Sequence, residues 1–267
     1  MPSVIMSLTE TDQADTFMAF RIRTLNASDP PDSFPNPADT AVALGYPDGL
    51  VAIGGDLSPD RLIEAYRRGI FPWFNEDQPI LWWSPNPRAV IYPESFHMSR
   101  SLARTVRQKD WEYSLNQAFH DVIHGCATDR GEYGTWITPD MQAAYASMHK
   151  LGYAHSVESW YQGRLAGGIY GLRLGNVFFG ESMYSSVSGG SKVAISGLIK
   201  NCLDTGIKML DCQLPSPHLQ TLGMVELPRQ EFLAILAREI TAIHSNSDWN
   251  FTRRAAAELT QLYKTAN

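Results

Sequence analysis

At 267 residues and 44% hydrophobic content, the chain is long enough to bury one or two real cores and is not a disordered polymer. A formal charge of −6 excludes a generally basic surface, so any nucleic-acid contact must rest on local clusters. The three scattered cysteines, Cys126, Cys202 and Cys212, argue against a disulfide framework, and no CxxC or HExxH spacing suggests a metal.

The N-terminus lacks the basic-then-apolar order of a signal peptide, and no apolar run reaches the length of a membrane span, so a cytoplasmic protein is expected. Residues 1–33 read as a mixed, loosely ordered extension, with an apolar patch at Phe17–Ile22. Residues 34–100 form an aromatic, proline-rich segment expected to be a small N-terminal domain. In it, Ser58 is a good N-cap and Pro59 a good first residue for a helix to Arg68, ending at Gly69, with Leu62, Ile63 and Tyr66 on one side. Phe71-Pro72-Trp73-Phe74 and Trp82-Trp83-Ser84-Pro85 follow. Core packing accounts for most of these rings. Trp73, held between Pro72 and Phe74, is the one placed to stack on a nucleobase.

A domain boundary is expected near residues 95–110, with a catalytic domain over 101–245 and a polar tail over 246–267. Arg100, Arg104 and Arg107 recur at helical spacing, opposite Leu102 and Val106. Such a stripe is either a solvated helix face or a grip on backbone phosphates. Asn116–Cys126 reads as helical, and Thr138 can cap a helix over Pro139–Leu151 whose apolar side includes Met141, Ala144, Tyr145 and Met148. On a strand, His155 and Glu158 face oppositely, which makes them poor metal partners and His155 a structural histidine.

Three β-rich runs, Ser156–Tyr161, Leu165–Leu172 and Asn176–Tyr184, are separated by Gly-containing breaks and read as an antiparallel meander. The Ser/Gly loop Ser185–Ser191 leads into a helix over Lys192–Asp204, stopped by Gly206. A strand over Lys208–Leu214 follows, with Asp211 and Gln213 on one side and Cys212 on the other. That pair is either a structural hydrogen-bonded couple or a polar relay that handles an amine. Strands, loop, helix and strand in this order are those of an acetyltransferase-like fold, in which the central strands open a V. The class expected is α+β. Beyond it, Gln230–Ile243 is a helix, and Ala255–Tyr263 is compatible with one more.

Several motifs in order carry a family resemblance: Gly54-Gly55-Asp56-Leu57-Ser58, Gly69-Ile70-Phe71-Pro72-Trp73-Phe74, Trp82-Trp83-Ser84-Pro85, Pro87-Arg88, Gly134-Thr135-Trp136-Ile137-Thr138, His155-Ser156-Val157-Glu158, Gly180-Glu181-Ser182-Met183, Ser191-Lys192 and Asp211-Cys212-Gln213. Over roughly residues 34–235 the sequence closely resembles the bacterial leucyl/phenylalanyl-tRNA–protein transferases. The resemblance implies a small N-terminal domain plus an acetyltransferase-like catalytic domain, working without cofactor or metal. It implies transfer of leucine or phenylalanine, with methionine left open, from aminoacyl-tRNA to the α-amino group of proteins beginning with Arg or Lys. The newly added N-terminal residue then marks the protein for degradation.

By the same resemblance Asp211 and Gln213 match the catalytic pair, Gln213 orienting the amine and Asp211 helping to draw off its proton. Glu181 matches a residue at the base of the donor pocket, and Trp73 and Trp136 match tryptophans beside the terminal adenosine. The aminoacyl side chain is expected in an apolar pocket of Ile169, Phe178, Ile195, Leu198 and Leu210, and the stripe Arg100, Arg104 and Arg107 on the acceptor stem. A monomer is the default, and acceptors with acidic N-termini stay open. The rivals are a serine hydrolase at Ser182, a thiol enzyme using Cys212, an acetyl-CoA-dependent enzyme and a non-catalytic tRNA-binding module.

Overall fold

The computed structural model describes residues 22–38, 47–128, 135–242 and 249–264. The apolar patch starting at Phe17, most of the N-terminal extension, Gly134 and the start of the tail lie outside the described residues.

The described residues build two sheets. The small one has β1 (Arg23–Leu25), β2 (Leu50–Gly54), β3 (Phe71–Pro72) and β4 (Leu81–Trp83) in the order β1-β2-β4-β3. Between β2 and β3 runs α1 (Pro59–Arg67), which buries Leu62, Ile63 and Tyr66 as its periodicity predicts. Ser58 occupies the N-cap but makes no side-chain cap; instead its backbone N–H donates to Asp56 Oδ1 at 2.8 Å. Gly69 follows α1 with φ +71°, a conformation costly for any side chain. A Cβ there would stand 2.7 Å from Leu233 Cδ2, so glycine is required by space as well as by backbone.

The large sheet has eight strands: β5 (Arg88–Ile91), β6 (Trp111–Leu115), β7 (Ala154–Tyr161), β8 (Arg164–Leu174), β9 (Val177–Ser185), β10 (Met209–Gln213), β11 (Val225–Leu227) and β12 (Phe251–Ala255). Their order is β11-β5-β10-β9-β8-β7-β6-β12, with β7, β8 and β9 forming the expected antiparallel meander. The pairing of β10 with β9 is parallel, reached through α5 (Gly190–Thr205), whose end is closed by Gly206 in the left-handed region. Two stretches behave differently from their sequence pattern. Residues 88–91, inside the aromatic N-terminal segment, are a strand of the large sheet, and residues 251–255 of the polar tail are its edge. Edge pairing needs backbone groups, not apolar side chains, so a polar stretch can supply it.

Both faces of the large sheet are covered, so its strands read as almost continuously apolar. Successive residues divide between faces: Val177 and Phe179 join one core, and Phe178 between them joins the other. On one side lie α1, α3 (Phe119–Thr128) and α4 (Pro139–Lys150); Tyr66, Val122 and Tyr145 pack there. On the other lie α5 and α2 (Arg100–Val106), with Val193, Ile195, Leu198, Leu102 and Val106. Thr138 caps α4 as expected, accepting the Met141 N–H at 3.3 Å. The helix α6 (Arg229–Glu239) packs Phe232 and Leu236 into the same core as α1 and the small sheet. Among the described residues no helix is long and apolar enough to cross a membrane.

Candidate active site

The strands β9 and β10 pair only at Met209–Val177, Leu210–Phe178 and Asp211–Phe179, and then part. Where they part, each carries an extra residue. On β9, Tyr170 pairs with Ser182 and Gly171 with Gly180, which leaves Glu181 as a bulge. On β10, Asp211 pairs with Val90 and Gln213 with Ala89, so Cys212 is the bulge. Bulges break the two-residue alternation and re-aim side chains. Gln213 completes this one at φ +58°, an uncommon conformation for a residue other than glycine.

The bulges open a cavity of about 210 Å³ between the two sheets, lined by Phe71, Pro72, Trp73, Trp136, Glu181, Cys212, Gln213 and Leu214. A partly apolar cavity at such a junction, with convergent polar groups, has the make-up of a small-molecule pocket. Trp73 and Trp136 are both half-buried on its wall, and the Trp83 indole N–H fixes the Trp73 backbone by donating to its carbonyl at 2.8 Å.

Asp211 does not line the cavity. It is fully buried, and its carboxylate receives Arg88 twice, Nε to Oδ1 at 2.8 Å and Nη2 to Oδ2 at 2.7 Å. The Gln213 backbone N–H donates to the same Oδ1 at 3.0 Å, which ties the bulge together. Arg88 also donates to the Gly69 carbonyl at 3.1 Å and lies between the rings of Phe71 and Phe232. A buried charge pair needs partners for its polar atoms, and every nitrogen of the Arg88 guanidinium and both oxygens of Asp211 have one. The expectation that Cys212 faces away from the site is corrected: the bulge puts it on the cavity wall. Burial pushes its thiol well above the ordinary range, and Asp211 adds to this, which disfavours the thiolate.

Glu181 is the floor of the site. Its Oε1 accepts from Tyr66 at 2.7 Å and from Gln213 Nε2 at 3.3 Å, and Oε2 accepts from Tyr145 at 2.8 Å. The two phenol oxygens are themselves 2.5 Å apart. Burial raises the Glu181 carboxyl to about 7; Asp211 adds to the rise, while the tyrosine hydroxyls and Arg88 oppose it. Because Gln213 donates its Nε2 to Glu181, its Oε1 is left to accept an N–H from a molecule in the cavity.

The structure brings Trp73, Trp136, Glu181 and Gln213 together, with Asp211 one layer behind. Ile169, Phe178, Ile195, Leu198 and Leu210, expected as the side-chain pocket, are not on this cavity; they are buried in the core beneath α5. Arg100, Arg104 and Arg107 are exposed on and just after α2 and, among the described residues, form no ion pair. Ser182 lies buried inside β9 opposite Tyr170, not on a sharp turn, so the nucleophile-elbow reading fails. His155 takes an N–H from Asn116 at Nδ1 and stacks on Trp249, away from the cavity. No cluster of three or more His, Cys, Asp or Glu among the described residues could hold a metal.

Arg88, Tyr66 and Tyr145 are not among the expected site residues: the sequence puts the two tyrosines on apolar helix faces and Arg88 only in the Pro87-Arg88 motif. The signal available for the tyrosines was a phenol on an otherwise apolar helix face, which must find a partner when buried. Beyond that motif, nothing local marks Arg88 as the partner of Asp211.

Comparison with known proteins agrees with this architecture. Residues 90–237 match the family model "Leucyl/phenylalanyl-tRNA protein transferase", and residues 55–86 match that family's N-terminal domain. A leucyl/phenylalanyl-tRNA–protein transferase from Saccharophagus degradans is 47% identical over 211 residues, 77% of this chain and 87% of that protein. Its namesake in Idiomarina loihiensis is 52% identical, over 75% of this chain and 84% of that one. The Aromatoleum aromaticum protein of the same name is 55% identical, over 73% and 83%. A conserved protein of unknown function from Staphylococcus epidermidis aligns over 66% of this chain and 67% of its own at a TM-score of 0.38 and 10% identity, too loose a likeness to carry an argument. With both of the family's domains in order, and close relatives along most of its length, the chain belongs to the leucyl/phenylalanyl-tRNA–protein transferase family of aminoacyltransferases.

Proposed function

We propose that this chain moves leucine or phenylalanine from aminoacyl-tRNA onto the α-amino group of proteins beginning with Arg or Lys, and that the cavity between β9 and β10 is where the bond forms. The reaction is aminolysis of an ester. An amine attacks the aminoacyl carbonyl, a peptide bond forms, and the 3′ ribose oxygen of the terminal adenosine leaves with a proton.

One observation supports placing the chemistry here: Gln213 lines the cavity with its Nε2 committed to Glu181, so its Oε1 is presented to an amine. Accepting one N–H from the neutral amine aims the nitrogen lone pair without competing for it. Asp211 acts in this reading as a positioning residue, since both its oxygens are engaged and it holds the Gln213 backbone in its unusual conformation. Trp73 and Trp136 stack on or beside the adenine, and the exposed Arg100, Arg104 and Arg107 hold acceptor-stem phosphates. The catalytic half is acetyltransferase-like in this reading, supported by the order β7-β8-β9-α5-β10 and the parting of its parallel central pair.

The test is transfer of labelled leucine from leucyl-tRNA to two peptides, one starting with Arg and one with Glu. Transfer to the Arg peptide, lost in Gln213→Ala, is the expected result. Transfer to the Glu peptide alone overturns the acceptor assignment. Binding of tRNA with no transfer to either overturns the enzymatic reading.

A further inference from the structure

Three short contacts join Tyr66, Tyr145 and Glu181: Tyr66 to Oε1 at 2.7 Å, Tyr145 to Oε2 at 2.8 Å, and phenol to phenol at 2.5 Å. Three hydrogen bonds need three protons. An ionised Glu181 leaves only the two hydroxyl protons, so one contact would set lone pairs against each other at hydrogen-bond distance. The third proton completes the set only if Glu181 carries it. Then Tyr66 donates to Oε1, protonated Oε2 donates to the Tyr145 oxygen, and Tyr145 donates to the Tyr66 oxygen. The ring closes with every donor and acceptor used.

We infer that Glu181 is the group that takes the proton of the incoming α-ammonium, and that Tyr66 and Tyr145 are positioning residues which stabilise the protonated product by closing this ring. The inference rests on the transfer reading above. An α-amino group is largely protonated near neutral pH and must become neutral to attack. The balance is complete within the site. The ammonium N–H bond breaks and its proton goes to Oε2 of Glu181. The neutral amine adds to the ester carbonyl, the C–O3′ bond breaks, and a second amine proton ends on O3′. Glu181 then releases its proton to solvent.

The charged and titratable surroundings fit that task. Tyr66 arrives from α1, Tyr145 from α4, and Gln213 and the Cys212 thiol flank the cavity from β10. Behind them the opposite charges of Asp211 and Arg88 act on Glu181 in opposite directions. Tyr170 of β8 lies edge-on to Tyr145, its ring centroid 5.5 Å away. Burial raises the carboxyl to about 7 even when both phenols act as separate donors to it, close to the pH at which it must exchange protons.

The ring makes a prediction of sign. Two phenols acting as separate donors favour the carboxylate, so removing either hydroxyl would raise its pKa. In the closed ring the protonated state has one more hydrogen bond than the ionised state, and losing a hydroxyl removes that advantage. The pKa should then fall by about one pH unit.

The experiment is a titration of the full unliganded chain with carboxyl-¹³C-labelled glutamate, Glu181→Gln identifying the resonance, alongside Tyr66→Phe and Tyr145→Phe. Both Phe variants are expected to titrate lower than the wild-type chain; an unchanged or raised midpoint overturns the ring. In parallel, kcat/KM for leucine transfer to an Arg peptide is measured against pH. Its acid limb should follow the Glu181 midpoint in all three titrating proteins and vanish in Glu181→Gln. A limb that ignores a shifted midpoint overturns the proton-taking role. No transfer by the wild-type chain overturns the transfer reading together with that role, while the resonance still decides the ring itself.

Discussion

Gln213 reaches the cavity because three neighbours hold it: Asp211 by the backbone, Glu181 by the amide and the β10 bulge by geometry. Arg88 is the tie behind them, fully buried and bound to both Asp211 oxygens. Removing it strands a buried carboxylate, a loss of about 3–5 kcal/mol. Arg88→Ala should therefore lower stability by that order in urea denaturation, and Arg88→Lys should rescue it only in part because the paired fork is lost. At the cavity wall Trp73→Ala should weaken binding of an aminoacyl-adenosine mimic by about 1–3 kcal/mol. Calorimetric titration reads this directly, and unchanged affinity would return Trp73 to a packing role.

The elements contribute rigidity where the site needs it. The end of α1 is fixed twice, by Gly69 in the left-handed region and by the Arg88 contact with its carbonyl. Gly69→Ala would push a methyl into Leu233 and Phe232 at 2.7 and 2.9 Å in a backbone conformation alanine avoids. The expected loss is on the order of 1–3 kcal/mol, seen as a lower thermal midpoint. Because Tyr66 is on α1, transfer should fall as well. If stability drops and the Glu181 midpoint stays fixed, α1 does not set the tyrosine's position.

Across the whole molecule the charge distribution and the pH response can be tested together. Exposed Arg100 and Arg104 stand on one side of α2 against an overall charge of −6. Reversing both should weaken tRNA binding and flatten its salt dependence; an unchanged slope marks the stripe as solvated surface. Two groups, the partly buried Glu181 and the buried His155, make stability depend on pH in opposite senses. Glu181 has a folded pKa of about 7 against an ordinary 4.5, so its contribution is full below 4.5 and is lost as pH rises through 7. Burial lowers His155 to about 3, so its contribution is present above its ordinary 6.5 and is lost as pH falls through 3. Between 4.5 and 6.5 the two slopes oppose each other. Glu181→Gln removes one of them, so relative to wild type its stability should rise with pH across that window. Denaturation midpoints measured in matched buffers check it.

The sequence by itself determined the elements that follow a local period. The β7-β8-β9 meander, α5 with its Gly206 stop, the Thr138-capped α4 and the buried face of α1 all rest on side-chain alternation and end signals. The family resemblance also named Trp73, Trp136, Glu181 and Gln213, four residues that line one cavity of the fold. The tertiary structure decided what depends on two distant strands meeting. Cys212 came to the cavity through a bulge, which appears only in the register of β10 with β5 and not in any two-residue pattern. The expected side-chain pocket became core for a related reason: alternation tells which residues share a face, not which face opens to the cavity. Arg88 meets Asp211 across 123 positions, and Tyr66 meets Glu181 across 115. Such pairs satisfy a buried charge or hydroxyl at long range, and a requirement of that kind leaves no local trace in the sequence.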